Sequence, residues 1–175
     1  MKYSQGWLVG QDGTFGHLVP FEICVRYGGS FRITWSGPVG QDLQQSYTLC
    51  SWAVQQLLHD IGITFKPFDY HINFPLHRIN GSGVSCRLSL AYSLLDALGV
   101  KLPFPPSKIV LTGDLNLNGD VLPVDGGLQK INAVRAAGFQ HFIVADQQPE
   151  VSSFLIRIHH LKELIGRNNS AASIG

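Results

Sequence analysis

Ser85 and Lys130 are the two side chains whose types and settings could carry covalent chemistry. Ser85 stands in GSGVSCRLSL, where a glycine-rich loop gives way to an apolar-periodic segment, so it falls in the first turn of a predicted helix. Backbone N–H groups lack intrahelical partners there and the helix dipole favours negative charge, which suits an oxyanion formed on an attacked carbonyl. The same position equally suits an N-cap serine that only satisfies an orphan amide. Lys130 stands in DGGLQKINAVRAAG, flanked by Leu128, Ile131 and Val134. A lysine buried on such a flank loses its proton more readily, because desolvation disfavours the ammonium, and the neutral amine can take the proton of a serine hydroxyl. A lysine that snorkels to water has no such role. Spacing alone leaves both alternatives open for each residue.

The elements that must position these residues follow from the hydrophobic periods. Val19 to Arg26 is β-branched and aromatic, Tyr27-Gly28-Gly29 is a turn signal, and Ser30 to Trp35 alternates until Ser36-Gly37-Pro38, which predicts an antiparallel hairpin. From Gln41 the period becomes helical through Leu58, with Gly62 as the stop. Tyr70 to Pro75 reads as a short strand, His77 to Val84 as a loop, and Ser85 to Leu98 as a second helix ended by Gly99. Lys108 to Thr112 is an apolar strand, and Asn118-Gly119 is a two-residue hairpin turn between Leu117 and Val121. Gly126-Gly127 opens a third helix to about Ala137, capped by Gly138; His141 to Ala145 is a strand, and Val151 to Ile165 reads as a final amphipathic helix. Hairpins followed by helix and strand alternation predict an α+β domain over residues 1–166, with helices covering a mixed sheet and a disordered polar tail over residues 167–175.

Composition narrows the function classes. Of 175 residues, 45% are hydrophobic and only 14% charged, against about 25% charged in an average soluble protein, so the chain is globular with a sparsely charged surface. The formal charge of +1, without a basic run, argues against nucleic acid as a partner and leaves a surface suited to a protein neighbour. No stretch reaches the roughly 18 apolar residues of a membrane span and the start lacks a signal peptide, so no membrane role and a cytoplasmic location are expected. Cys24, Cys50 and Cys86 form no CxxC pair and are expected to be reduced. The histidines are scattered, predicting no metal site, and the absence of GxxxxGK[ST], GxGxxG, HExxH and GxSxG removes the standard phosphate, dinucleotide, zinc and hydrolase signatures. No cofactor is predicted.

The stretch VLTGDLNLNGDVLPVDGGLQKINAVRAAGFQHFIVA, Val110 to Ala145, closely resembles the C-terminal proteolytic domain of Lon proteases, peptidase family S16, with its pattern TGE…L.G.VLPIGG..EK..AA..AG…IVP. VSCRLSLAYSLLDAL resembles the family's PSAG helix, HINFP its H-x-H-V-P strand, and QDLQQSYTLCSWAVQQL its first long helix, so the likeness runs from about Gly16 to the last helix. It implies a ribosomal protein S5 domain 2-like, α+β fold. It also implies that Ser85 is the nucleophile and Lys130 the base of a Ser-Lys dyad, that Thr112 hydrogen-bonds the lysine, that Asp114 replaces a nearby glutamate, and that His71 matches the first of two histidines near the site. A hexameric ring, hence a homo-oligomer, is the family's habit.

The chain departs from the pattern at several positions. SGVSCR stands for DGPSAG, so Ser82 replaces an acidic residue and Arg87 a glycine; Asn73 replaces the second histidine; and VDGG stands for IGG. The ungapped register puts Lys130 on the family lysine and keeps Gly138 in place, whereas aligning the glycines would put Ile131 there. With the resemblance confined to the proteolytic domain, the expectation is a stand-alone, ATP-independent serine endopeptidase acting on peptides or unfolded proteins, with any unfoldase a separate ATPase. The alternative is a non-catalytic interaction module, like the Lon-like domains of RadA and ComM, that oligomerises or docks on an ATPase.

Overall fold

The computed structural model describes residues 2–75, 83–165 and 173–174. In chain order it holds β1 (Lys2–Gln11), β2 (Gly16–Tyr27), β3 (Ile33–Ser36), α1 (Gln41–Asp60), β4 (Thr64–Phe65) and β5 (Phe68–Asn73). After a 3-10 turn at Gly83–Cys86 come α2 (Arg87–Leu98), β6 (Val110–Leu111), the pair β7 (Asp114–Leu115) and β8 (Val121–Leu122), and α3 (Gly127–Ala136). β9 (Phe142–Ala145), β10 (Leu155–Ile158), a 3-10 turn at Leu161–Leu164 and β11 (Ser173–Ile174), which runs parallel to β4, complete it. Of the predicted tail, only this backbone pairing is described, and most of the predicted loop at His77 to Val84 lies outside the described residues.

Two sheets carry the helices. The first has the order β1, β2, β5, β3, antiparallel except for the β5 and β3 pair. Strand alternation puts Val19, Phe21, Ile23 and Val25 of β2 and Phe68, Tyr70 and Ile72 of β5 on one buried face, leaving Glu22, Cys24, His71 and Asn73 half-exposed on the other. α1 and α2 cover the buried face, where the Tyr70 hydroxyl donates to Tyr47 O at 2.7 Å. The second sheet is parallel, in the order β10, β9, β6. Phe142 and Val144 of β9 join Val9, Val110, Ile131 and Val134 in a smaller cluster under α3, while Ile143 and Ala145 face the main core. Burial on both faces is what makes HFIVA read as one continuous apolar run.

Two expectations fail. The segment after Gly28-Gly29 does not fold back on β2: β3 pairs with β5 in parallel, and the hairpin partner of β2 is β1, reached through a turn in which Asp12 N–H donates to Phe15 O and Phe15 N–H to Asp12 Oδ1. Gly6 and Gly10 break the alternation that would have announced β1. Gly6 is required by packing, since a Cβ there would lie 2.4 Å from Ser93 Oγ and 2.8 Å from Phe21. The final helix is absent as well. Val151 is 92% exposed, and the backbone of Leu155–Ile158 is taken up by parallel pairing with β9, so tertiary pairing overrides a chance helical spacing.

The Asn118-Gly119 pair turns the chain between β7 and β8, but not as a two-residue hairpin: Asn116 N–H donates to Asp120 O, Leu117, Asn118 and Gly119 make a three-residue loop, and of these only Gly119, at φ 90° with its N–H on Asn116 O, has a positive φ. The three cysteines are free, Cys50 and Cys86 buried and Cys24 half-buried. Among the described residues, no helix is long and apolar enough to cross a membrane and no group of His, Cys, Asp and Glu could hold a metal ion.

Candidate active site

Ser85 sits in the 3-10 turn just ahead of α2, whose N-cap is Cys86 and carries no side-chain capping bond. The N-cap alternative for Ser85 is therefore not what the structure shows. Its backbone is held from several sides instead. The Ser85 carbonyl accepts from Gly113 N–H and from Thr112 Oγ1, both at 3.2 Å, and Leu88 N–H returns a bond to Gly113 O at 3.2 Å. Gly83 O accepts from Ser46 Oγ of α1 at 2.9 Å and from the Cys86 thiol, and Arg87 O accepts from the Cys50 thiol at 3.2 Å. Gly83 is dictated by this closeness, because a Cβ there would stand 2.6 Å from Asp42 O. The Ser85 hydroxyl makes no hydrogen bond among the described residues, so the turn is fixed while its nucleophilic atom is not engaged.

Lys130 reaches the same region from the other layer. Gly126, at φ 73°, starts α3, and Lys130 N–H makes its first helical bond to Gly126 O. One turn in, the Lys130 side chain is only 3% exposed, with Ile131 and Val134 buried beside it, whereas Leu128 points outward. The register question raised by VDGG is visible here: Ile131 packs into the small cluster with Val9 and Val110, and Lys130 comes within electrostatic range of Cys86, the neighbour of Ser85. Burial pushes the lysine below its ordinary value, while the carboxylates of Asp125 and Glu150 pull the other way. The Cys86 thiol itself is pushed up to about 12 by burial, so it stays neutral beside the amine.

Glu150 was not anticipated. Its carboxylate lies against Gly127, where a Cβ would come within 2.1 Å, so a negative charge sits on the N-terminal turn of α3. Gln148 holds it at 2.7 Å and ties itself to Val124 N and O. No local signal announces this, since the group reaches α3 from a loop beyond β9.

The supporting residues divide. Thr112, 2% exposed, joins the site, but its hydroxyl donates to the Ser85 carbonyl rather than bonding the lysine as expected. Asp114 joins it too, as the ion-pair partner of Arg87 at 2.7 Å. His71 does not. Alternation along β5 turns its ring onto the sheet face away from α1 and α2, where Nδ1 meets Thr34 Oγ1 at 2.8 Å and Nε2 meets Ser36 Oγ at 3.1 Å. A serine hydroxyl on a clamped turn, unbonded among the described residues, and a buried lysine whose amine is lowered by burial are the two components that forming and releasing an acyl ester would use.

The family model described as the Lon protease (S16) C-terminal proteolytic domain matches residues 7–158. The Lon protease of Mycoplasma mycoides is 29% identical over 133 residues, covering 74% of this chain and 16% of that protein. The peroxisomal Lon protease homolog 2 of Caenorhabditis elegans is 26% identical over 136 residues, covering 77% and 17%. The Lon protease of Desulforamulus reducens is 30% identical over 122 residues, covering 67% and 15%. The chain thus spans under a fifth of the length of these curated relatives.

Proposed function

Because this chain belongs to the Lon protease (S16) C-terminal proteolytic domain family, with the peptidase activity that membership suggests, we propose that it is a serine endopeptidase in which Ser85 is the nucleophile and Lys130 the general base. The observation that carries the reading is the burial of Lys130, which lowers its amine below the ordinary value and so favours the form that can accept a proton. The amine takes the Ser85 proton as Oγ attacks the peptide carbonyl carbon, and the oxyanion is met by amides of the turn. The Leu88 amide is already committed to Gly113 O, so those nearer Ser85 serve. The lysine ammonium then protonates the departing amine nitrogen as the C–N bond breaks, leaving an ester on Ser85. A water gives its proton to the amine and attacks that ester, releasing the carboxylic acid and returning the hydroxyl. Thr112 acts through the Ser85 carbonyl.

The four-stranded sheet backed by α1 and α2 supports the S5 domain 2-like arrangement within the mixed α+β fold. Substrates would be peptides or unfolded proteins, taken without ATP by this domain alone, and the domain would work in the cytoplasm as a homo-oligomer. The test needs no substrate: incubate with a peptide β-lactone and read intact mass and the modified site. An adduct on Ser85 that vanishes in Ser85→Ala and in Lys130→Met is the expected result. Folded, oligomeric protein without an adduct would sink the dyad and favour an interaction module.

A further inference from the structure

The Arg87 side chain has no part in the chemistry described so far, yet it lies across both supports of the nucleophile turn. Its Nη1 meets Asp114 Oδ1 at 2.7 Å, and its Nε donates to Ser46 Oγ at 3.2 Å. Ser46 passes that contact on, donating to Gly83 O at the start of the turn. Asp114 directly follows Thr112 and Gly113, the two residues that hold the Ser85 carbonyl, and its Oδ1 also accepts from Leu115 N–H at 2.7 Å. One guanidinium therefore joins the α1 support to the β7 support, with Ser85 between them. The side chains of the pair are 17% and 26% exposed, so the contact is far less screened than a surface pair.

The sequence points the same way. Where the family pattern has glycine and glutamate, this chain has Arg87 and Asp114, and the two departures touch each other. We propose that Arg87 is a positioning residue for Ser85: through Asp114 and Ser46 it fixes the Gly83–Cys86 turn and so the line of attack of the Ser85 hydroxyl. The inference rests on the peptidase reading above. A clamp of this kind governs the acylation step and leaves substrate recognition alone, since misplacing a nucleophile by about 1 Å costs on the order of a hundredfold in rate.

The experiment measures kinact and KI for the peptide β-lactone on the whole chain, per folded molecule, at a temperature where thermal melts show wild type and variants folded. Arg87→Ala is expected to lower kinact by roughly ten- to a hundredfold with KI held within about twofold. Arg87→Lys keeps the charge, cannot span both partners, and should fall between. Asp114→Ala should also lower kinact, and the loss in the double variant should fall well short of the product of the two single losses, because the ion pair is common to both while the Ser46 and Leu115 contacts are not. Should Arg87→Ala fail to fold, isosteric Asp114→Asn replaces it, with a drop in kinact expected. Wild-type kinact in the variants, a loss confined to KI, or losses that multiply in the double variant would overturn the proposal. Wild type that takes no adduct on Ser85 overturns the peptidase reading and this inference together, whereas a labelled wild type with an equally fast Arg87→Ala overturns this inference only.

Discussion

Replacing Lys130 by methionine pits burial against the two carboxylates, because methionine keeps the length of the side chain and removes the charge. In the unfolded chain the amine titrates near its ordinary 10.5. Burial to 3% exposure lowers it in the folded protein, while Asp125 and Glu150 oppose that shift without reversing it. Between the folded and the ordinary value the unfolded chain binds the extra proton, so wild-type stability rises with pH across that window and carries its full deficit below it. The deficit is about 1.4 kcal/mol for each unit of lowering. Lys130→Met removes it, so the variant should melt higher than wild type at pH 7, by about 2–4 °C for each kcal/mol in a chain of this size, and the advantage should shrink as pH approaches 10. Peptidase activity should fall by roughly 10² to 10⁴ in the same protein. Thermal unfolding of both proteins from pH 6 to pH 10 reads the first effect and acylation the second. A variant that melts below wild type at pH 7 would refute the reasoning, because it would mean that the pull of Asp125 and Glu150 outweighs burial and the Lys130 amine is not lowered.

Thr112→Val keeps the shape but leaves the Ser85 carbonyl with Gly113 N–H alone; a loss of about 1–2 kcal/mol in urea unfolding and slower labelling of Ser85 are expected, and unchanged labelling would detach Thr112 from the site. Gly16→Ala puts a Cβ 2.3 Å from Gln129 O and 2.9 Å from the Ala133 Cβ, so α3 must move away from β2. We expect about 1–3 kcal/mol of destabilisation and a fall in acylation rate per folded molecule. Gly13→Ala in the same hairpin is the control: its φ of 95° makes alanine costly there, but nothing stands within 4 Å of the new Cβ, so stability falls and the acylation rate per folded molecule holds.

How much of this was written in the sequence depends on whether the signal was local. The α1 repeat ending near Gly62 and Gly126-Gly127 before α3 are set by backbone chemistry within a few residues, and the structure has them in place, while Asn118-Gly119 marks a turn that takes in Leu117 as a third loop residue. The β1 strand was hidden because Gly6 answers to Ser93 and Phe21 across the fold, and β10 was misread because pairing with β9 outweighs the spacing of Leu155, Ile158 and Leu161. The site divides the same way. Ser85 and Lys130 stand out by motif and neighbours. The link from Arg87 to Ser46 spans 41 residues and that to Asp114 spans 27, so only the folded chain brings them together. His71 was drawn to the site by its motif, yet the two-residue period of β5 sends it to the opposite face.

The two halves of the proposed dyad belong to different packing units, and this sets what the fold must keep constant. The Ser85 turn rests on α1 and α2 over the main core; Lys130 rides on α3 over the smaller cluster with Ile131 and Val134. β6 and β9 form the seam: Val110, Phe142 and Val144 face the α3 cluster, while Leu111, Ile143 and Ala145 face the main core. Thr112 continues β6, ties its N–H to Ile143 O at 3.0 Å, and reaches Ser85 with its hydroxyl. The distance between nucleophile and base is therefore fixed through a parallel strand pair buried on both sides, where main-chain bonds are shielded from water and packing density resists small shifts. Helix positions on either layer can change shape locally without altering that distance so long as this seam holds, which is why Gly16, seating α3 against β2, and Thr112, at the end of β6, are the positions where a single atom matters.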